Sequence, residues 1–206
     1  MTEVTRDYLA AKLLHWEQYM LNYELPDWKG LPDLELYMDQ VVALITRYLE
    51  ILPRAGASDG VVTPSAINNY ARMRVMPAPV RKKYTRVHLA YLILICLLKQ
   101  TLTLAEIQVI LPVDLTESEV RTIYDGFVSR LHDTSRLFID QVRTEAQGVL
   151  EPESVETQVE TAEGFMLTTA VSSVLNRLLA TRLLKLQNQL REDPDLAAPQ
   201  QEKTEE

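Results

Sequence analysis

The segment TPSAINNYARMRVMPAPVRKKYTRVHLAYLIL, residues 63–94, decides the fold of this chain. Thr63 followed by Pro64 is a helix-start signal, because the threonine hydroxyl caps the first turn and the fixed φ of proline suits that turn. The two prolines of the MPAP stretch then end the helix, since proline cannot continue it. The segment therefore predicts a helix at 63–73, an extended wing or loop at 80–84 and a buried helix at 86–100.

The same segment lies inside a positively charged island. Residues 61–105 contain seven Lys and Arg and no Asp or Glu, although the whole chain has a net charge of −8. Local positive potential attracts and holds phosphates whatever the net charge of the protein. The island therefore favours a polyanion partner, and its coincidence with the helix–proline–cation–helix order favours nucleic acid.

Apolar residues recur at helical spacing on both sides of the island, which predicts a mainly α fold. Thr103 and Thr116, each with Glu three residues later, match the capping box and predict two helix starts. The last two helices are long and carry apolar seams that a partner helix can fill. Acidic residues and few hydrophobic ones predict a disordered tail at 193–206. The further predicted helices span residues 5–23, 34–52, 103–111, 117–149 and 164–191.

The bulk properties predict a soluble cytoplasmic protein without a membrane segment. The N-terminal sequence lacks the basic and apolar regions of a secretory signal, and the apolar run 89–98 is about half of a bilayer span. The lone cysteine, Cys96, excludes an internal disulfide. Since the three histidines are far apart and no catalytic or nucleotide-binding motif is present, we expect no catalytic residue, no metal, no cofactor and no enzyme activity.

Polar and basic residues of the segment are the candidate DNA contacts. Asn can bind adenine and Arg can bind guanine with two hydrogen bonds in the major groove, while consecutive cations suit backbone phosphates. The alternatives are that the Asn pair faces water near a frayed helix end, that the cations are a solvated charge run, and that Tyr84 has a packing role. The candidates are Thr63, Ser65, Asn68, Asn69, Arg72, Arg81, Lys82, Lys83, Tyr84 and Arg86.

The order of these residues resembles the MerR-type winged helix-turn-helix. In that family a short recognition helix precedes a proline stretch, a basic wing ending in Tyr, a buried helix and a helix that begins Ser-Leu-Glu-Glu-Ile. Here Ile67 matches the buried position of the recognition helix, residues 76–79 the proline stretch, Lys82 and Tyr84 the wing, and residues 103–107 the later helix. The resemblance covers about residues 31–112 and implies a DNA-binding regulator.

Four further pieces of sequence are similar to a family of uncharacterised bacterial proteins with a domain of unknown function, which is itself MerR-like. The pieces are LPDLELYMDQV, INNY, KKY and HLAYLILICLLKQ. Two departures from the MerR pattern matter. Members commonly have Thr, Arg and Tyr where this chain has Ala66, Asn68 and Asn69, so their base contacts do not carry over. Arg74 replaces the usual Gly after the recognition helix, where a positive φ costs a non-glycine residue energy.

Two functions remain open at this point. The first is a DNA-binding transcriptional regulator that acts as a homodimer on double-stranded DNA, with room for an unknown small-molecule effector. The second is a non-enzymatic helical interaction module whose basic patch binds an acidic partner, including its own acidic C-terminal segment. The predicted domains are an N-terminal helix and loop at 1–30, the winged helix-turn-helix at 31–112, a helical dimerisation or sensor region at 113–192, and the tail at 193–206.

Overall fold

The computed structural model describes residues 3–52, 61–146 and 162–192. Within these residues the chain forms α-helices and no β-strands, so the predicted mainly α class is confirmed. A short 3-10 helix, Trp28–Gly30, lies between the first two α-helices. The α-helices are α1 (Glu3–Asn22), α2 (Met38–Tyr48), α3 (Pro64–Arg72), α4 (Arg86–Leu98), α5 (Leu104–Ile110), α6 (Glu117–Glu145) and α7 (Ala162–Glu192).

Helix α4 is the centre of the structure. Every residue from His88 to Cys96 is buried, which agrees with the predicted burial of this apolar run on most sides. One core cluster extends around it from Leu25 to Tyr124 and includes residues of every helix from α2 to α6. The Tyr91 hydroxyl donates a hydrogen bond to the Pro112 carbonyl, which ties α4 to the chain before α6. The core therefore fixes α2, α3 and α5 around a single buried helix.

Helix α2 is shorter than the predicted helix at 34–52. It begins at Met38 because the backbone of Leu36 pairs with that of Tyr84, which holds the preceding residues extended. The Tyr37 N–H donates to Gln40 Oε1 at 2.9 Å and caps the first turn. The helix ends at Tyr48, and the chain continues as a turn before Pro53, which cannot extend a helix.

The other helix predictions agree with the structure within a few residues. Thr103 and Thr116 each accept a backbone hydrogen bond from the Glu three residues later, as the capping box requires. Helix α4 ends two residues before the predicted position, in a turn at Lys99. Helix α6 ends at Glu145, four residues before the predicted position, with Ala146 as its C-cap. The 53–60 breaker cluster, most of the acidic stretch after residue 146 and the 193–206 tail lie outside the described residues.

The chain after α1 is tied to α6 by specific contacts. The Trp28 N–H donates to Asp125 Oδ1 at 2.8 Å, and the Tyr124 hydroxyl donates to the Pro26 carbonyl at 2.8 Å. The rings of Trp28 and Tyr124 meet edge to face, and an ion pair joins Arg143 to the buried Glu17 of α1. No helix in the described part of the chain combines the length and the apolarity that a bilayer span requires.

Candidate nucleic-acid interface

Helix α3 has one buried side and one polar side. Ile67 and Tyr70 are buried in the core, as the sequence predicts, and they anchor the helix in the cluster that α2 and α4 also form. Thr63 Oγ1 accepts the Ala66 N–H at 3.2 Å, so this candidate caps the helix. On the other side Ser65 and Asn68 are exposed. The polar side therefore faces solvent on a helix whose orientation is fixed by its buried side.

Asn69 and Arg72 form a local hydrogen-bonded pair on that polar side. Arg72 Nη2 donates to Asn69 Oδ1 at 2.6 Å, and Asn69 Nδ2 lies 3.2 Å from Met73 Sδ as a donor. Asn69 is half-buried, whereas the Arg72 side chain is exposed. These contacts restrict the rotamers of both side chains before any ligand binds. The candidates on α3 also line an open depression of about 550 Å³, together with Ala66.

The C-terminal end of α3 is closed by a left-handed residue, Arg74, with φ 55°. The Arg74 N–H donates to the Ala71 carbonyl at 3.2 Å and the Val75 N–H donates to the Tyr70 carbonyl at 2.9 Å, which together form a Schellman motif. Glycine is the usual residue at such a position, and the sequence comparison with the MerR pattern anticipates this strain. Gln108 Nε2 of α5 donates to the carbonyl of Arg74 at 3.0 Å and contacts that of Met73 at 3.2 Å.

The segment predicted as an extended wing or loop contains a tight two-residue turn. The Lys83 N–H donates to the Val80 carbonyl at 2.9 Å, and these two residues form an isolated β-bridge. The residues between them, Arg81 and Lys82, have φ values of 50° and 62°, which is the pattern of a type I′ turn. We call residues 80–83 the basic hairpin. Arg81 and Lys82 are exposed at its tip, and neither forms an ion pair with a described residue.

Lys83 and Arg86 are engaged with acidic residues before α2. Lys83 Nζ lies 3.4 Å from Glu35 Oε2 and 4.5 Å from the ring centre of Tyr37. Hydrogen bonding to Tyr37 and then to Glu35 raises the pKa of Lys83 above its usual value. Arg86 Nε donates to the Leu31 carbonyl at 3.1 Å, and its guanidinium also lies near a carboxylate of Asp33. These two candidates therefore contact the segment before α2 as well as carrying charge.

Tyr84 is buried, so its role in the structure is packing. Its ring meets the ring of His88 edge to face at 5.5 Å, and burial raises the pKa of its hydroxyl. His88 is buried too, and its Nδ1 accepts the Thr85 N–H at 3.0 Å in the place that Glu or Gln takes in a capping box. Burial lowers the pKa of His88, which favours the neutral ring that can accept this hydrogen bond. The base of the hairpin is thus anchored to the first turn of α4.

A second cavity lies between the chain after α1 and helix α6. Its volume is about 240 Å³, which is below the roughly 300–1,000 Å³ of typical ligand pockets. Apolar groups from Leu25 and Leu131 and polar groups from Glu24 and His132 line it together. A small-molecule effector stays a prediction.

The ten candidates from the sequence all lie in the segment 63–86. They do not include Arg74 or Gln108, which are in contact at the end of α3. The signal for Arg74 was present, since it is one of the seven cations of the island and stands at a glycine-like position. Gln108 gave no signal, because its contact with the end of α3 joins residues that are distant in sequence.

Comparison with known proteins gives one family match. Neither the curated proteins nor the solved structures include a match to this chain. Residues 26–127 match the model of a family described as a domain of unknown function, DUF1836. The matched range nearly coincides with the core cluster from Leu25 to Tyr124 and contains α3, the basic hairpin and α4. The chain therefore contains a DUF1836 domain over residues 26–127, as the resemblance to a domain of unknown function predicted.

Proposed function

We propose that this protein is a cytoplasmic DNA-binding transcriptional regulator that reads duplex DNA through α3 and the basic hairpin. The observation that carries the proposal is that α3 and the basic hairpin lie in the same charged segment. The exposed polar side of α3 and the exposed cations at the tip of the hairpin occur together in the one positively charged segment of an acidic chain. In this proposal α2 and α3 are the helix-turn-helix and residues 80–83 are the wing of a MerR-like domain.

The chemistry of α3 suits the major groove. Asn68 presents an exposed amide that can pair with adenine, and Arg72 presents a guanidinium that can pair with guanine. Asn69 orients Arg72 through their hydrogen bond, so the guanidinium loses less conformational entropy on binding. We therefore assign base contacts to Asn68 and Arg72, and a positioning role to Asn69.

The chemistry of the basic hairpin suits phosphates. Arg81 and Lys82 stand side by side at the tip of a turn whose base is fixed by the Leu36–Tyr84 bridge. Phosphate contacts of this kind set the register of a protein on the duplex and supply affinity, while base contacts supply sequence choice. The two cations thus complement α3 rather than duplicate it.

Helix α7 supports a homodimer. Its side toward the body contacts α5, with Ala180 and Leu184 packed against the core. Its opposite side exposes a continuous apolar stripe: Leu167, Val171, Val174, Leu175, Leu178, Leu179, Leu183 and Leu186. A stripe of this length on an exposed helix marks a protein contact. A second copy of the chain presents the same stripe and would double the DNA contacts on a two-fold symmetric site.

The experiment that tests the proposal is selection of binding sites from random duplexes, followed by titration of the best site at increasing salt. We expect an enriched, two-fold symmetric site and an affinity that falls steeply with salt, because phosphate contacts release counterions. The double substitution R81A/K82A should flatten the slope of log affinity against log salt by up to about two units. Its matched control is R130A/R136A, which removes two exposed cations of α6. No enrichment from the random pool would contradict the proposal.

The second candidate is an interaction module for an acidic protein partner. The observation in its favour is that Glu35 and Asp33 already bind two cations of the island, so carboxylates fit this surface. Polyglutamate and random duplex, compared at equal charge concentration and equal salt, separate the two functions. Preference for polyglutamate and failure to select a duplex sequence would favour the interaction module.

A further inference from the structure

Three residues other than glycine have a positive φ in the described part of the chain, and all three are cations of the island. They are Arg74, Arg81 and Lys82. For an L-residue this conformation costs about 1–2 kcal/mol relative to the right-handed region. Asn, Asp and Gly are the residues that ordinarily occupy such positions. In the described chain, the residues with a strained backbone are therefore all basic and all lie in one surface segment.

The other four cations of the island are held by neighbouring groups. Lys83 and Arg86 bind the carboxylates described above, Lys99 Nζ donates to the Tyr70 hydroxyl at 3.2 Å, and Arg72 donates to Asn69. The three strained cations, in contrast, are exposed and form no side-chain hydrogen bond or ion pair with any residue that the structure describes. Strain and free charge thus coincide on the same three residues.

The backbone of Arg74 is held from both sides. Its N–H closes the Schellman motif of α3, its carbonyl accepts the hydrogen bond from Gln108, and the next residue, Val75, is fully buried. The Arg74 side chain therefore starts from a rigid backbone position at the end of α3. Its direction differs from the one that a right-handed φ would give. Strained residues that persist in a well-determined surrounding occur preferentially at functional sites.

We propose that Arg74 is a third phosphate-binding residue of the DNA interface, with Gln108 as its positioning residue, and that Arg74, Arg81 and Lys82 act as one set. This inference rests on the proposed DNA-binding function. It adds a contact at the junction between the recognition helix and the hairpin, so that phosphates are held at both ends of the segment 74–82. It also explains why a cation stands at a position that favours glycine.

A cation after a helix C-terminus has a second possible use, because it stabilises the negative end of the helix dipole. The two roles differ in what R74G does. If Arg74 serves the fold alone, R74G removes a favourable charge and binding of duplex stays the same. If Arg74 serves DNA binding, R74G relieves the backbone strain while it weakens binding.

The experiment compares R74G, R74Q and the control R136Q in the full chain, with duplex affinity at several salt concentrations and the melting temperature as readouts. For R74G we expect a melting temperature higher by about 1–4 °C, because a glycine adopts the left-handed conformation without strain. We also expect about 3- to 10-fold weaker binding at low salt and a salt slope smaller by about one unit. R74Q should show the same loss of binding without the gain in melting temperature, and R136Q should match the unchanged protein.

Gln108 is tested by Q108A, with Q100A as its matched control, because the Gln100 amide bonds locally to the Cys96 carbonyl. Q108A should speed amide hydrogen exchange at Arg74 and Val75 and weaken duplex binding severalfold, with the salt slope unchanged because no charge is lost. Q100A should do neither.

The outcomes separate this inference from the proposed function. Failure of the unchanged protein to select or bind any duplex overturns both. Binding by the unchanged protein, with equal affinity and equal salt slope in R74G and R74Q, overturns the inference alone. A lower melting temperature in R74G with unchanged binding assigns Arg74 to the helix dipole and also overturns it.

Discussion

Leu36 and Tyr84 exchange two backbone hydrogen bonds, from the Leu36 N–H to the Tyr84 carbonyl at 2.8 Å and from the Tyr84 N–H to the Leu36 carbonyl at 2.9 Å. Both side chains are buried. The pair joins the chain that enters α2 to the base of the basic hairpin, and α3 packs on α2. Helix α3 and the basic hairpin, which we propose to contact DNA, are therefore both held by α2 and the chain that enters it.

The ion pair between Lys83 and Glu35 sits beside that bridge and limits the free positive charge of the hairpin. We predict that E35Q strengthens binding to any duplex by about 2- to 5-fold at low salt, since it frees Lys83 and removes a negative charge near the phosphates. Stability should change by less than about 1 kcal/mol, because the Glu35 side chain is largely exposed. Fluorescence anisotropy at several salt concentrations measures the effect.

The matched control for E35Q is D133N, which makes the same charge change at an exposed position on α6. D133N should leave duplex affinity nearly as it is. Equal gains in the two variants would show that net charge alone sets the affinity and that Lys83 has no particular role.

The polar side of α3 gives a prediction about sequence choice. N68A and R72A should each cost on the order of 1–3 kcal/mol on the selected site and little on random duplex. N69A should lose less than R72A, because it removes the hydrogen bond that orients Arg72 but keeps the guanidinium. Competition of selected and random duplexes against each variant measures the difference. Equal losses on both duplexes would reassign these residues to phosphate contacts.

His88 gives a prediction about pH. Burial lowers its pKa, so the unfolded chain binds a proton at a pH where the folded chain does not. The stability that the neutral ring supports is therefore present above about pH 6.5 and is lost as pH falls toward the folded-state pKa. Protonation would also place a donor at Nδ1 opposite the Thr85 N–H. We expect urea unfolding to show stability decreasing below pH 6.5.

The substitution H88Q isolates this effect. Gln accepts the same capping hydrogen bond at the third helical position but does not titrate, so the loss of stability below pH 6.5 should become smaller. H132Q, at an exposed histidine of α6, should keep the pH dependence of the unchanged protein. An identical pH dependence in H88Q and the unchanged protein would remove His88 from the explanation.

Local sequence signals predicted the parts of this fold that depend on local contacts. The capping threonines, the N-terminal proline of α3, the inward side chains of Ile67 and Tyr70 and the buried run of α4 follow from residues within one or two helical turns. The apolar spacing likewise predicted the long C-terminal helix, and the structure confirms it. The same signals placed half of the ten candidate contacts on a surface that the structure leaves exposed.

Long-range contacts account for what the sequence did not predict. Helix α2 starts at Met38 because Leu36 finds a partner at Tyr84, and Lys83 and Arg86 lose free charge because Glu35 and Asp33 come beside them. The type I′ turn was missed because Arg81-Lys82 lacks the Asn-Gly or Asp-Gly pair that ordinarily marks it. Apart from this local turn, each miss is a contact between segments that are distant in sequence.

Helix α7 gives the last prediction, which concerns the homodimer. Leu178 and Leu183 lie within the exposed apolar stripe, with exposed fractions of 61% and 56%. The double substitution L178K/L183K should abolish dimerisation, since it places two charges in an apolar contact, while the DUF1836 domain keeps its fold. Specific DNA affinity should then fall by about 10²-fold or more, because one half-site stays engaged instead of two. Sedimentation and duplex titration measure the two effects.

The control for that substitution lies on the same helix. N176K/Q187K adds the same charge at exposed polar positions of α7, so it should remain dimeric and bind the selected site as before. A monomer for the unchanged protein at tens of micromolar, with the DNA affinity of L178K/L183K, would contradict the prediction. The apolar stripe would then have to be covered within one chain, and a two-fold symmetric selected site would have no structural basis in this protein.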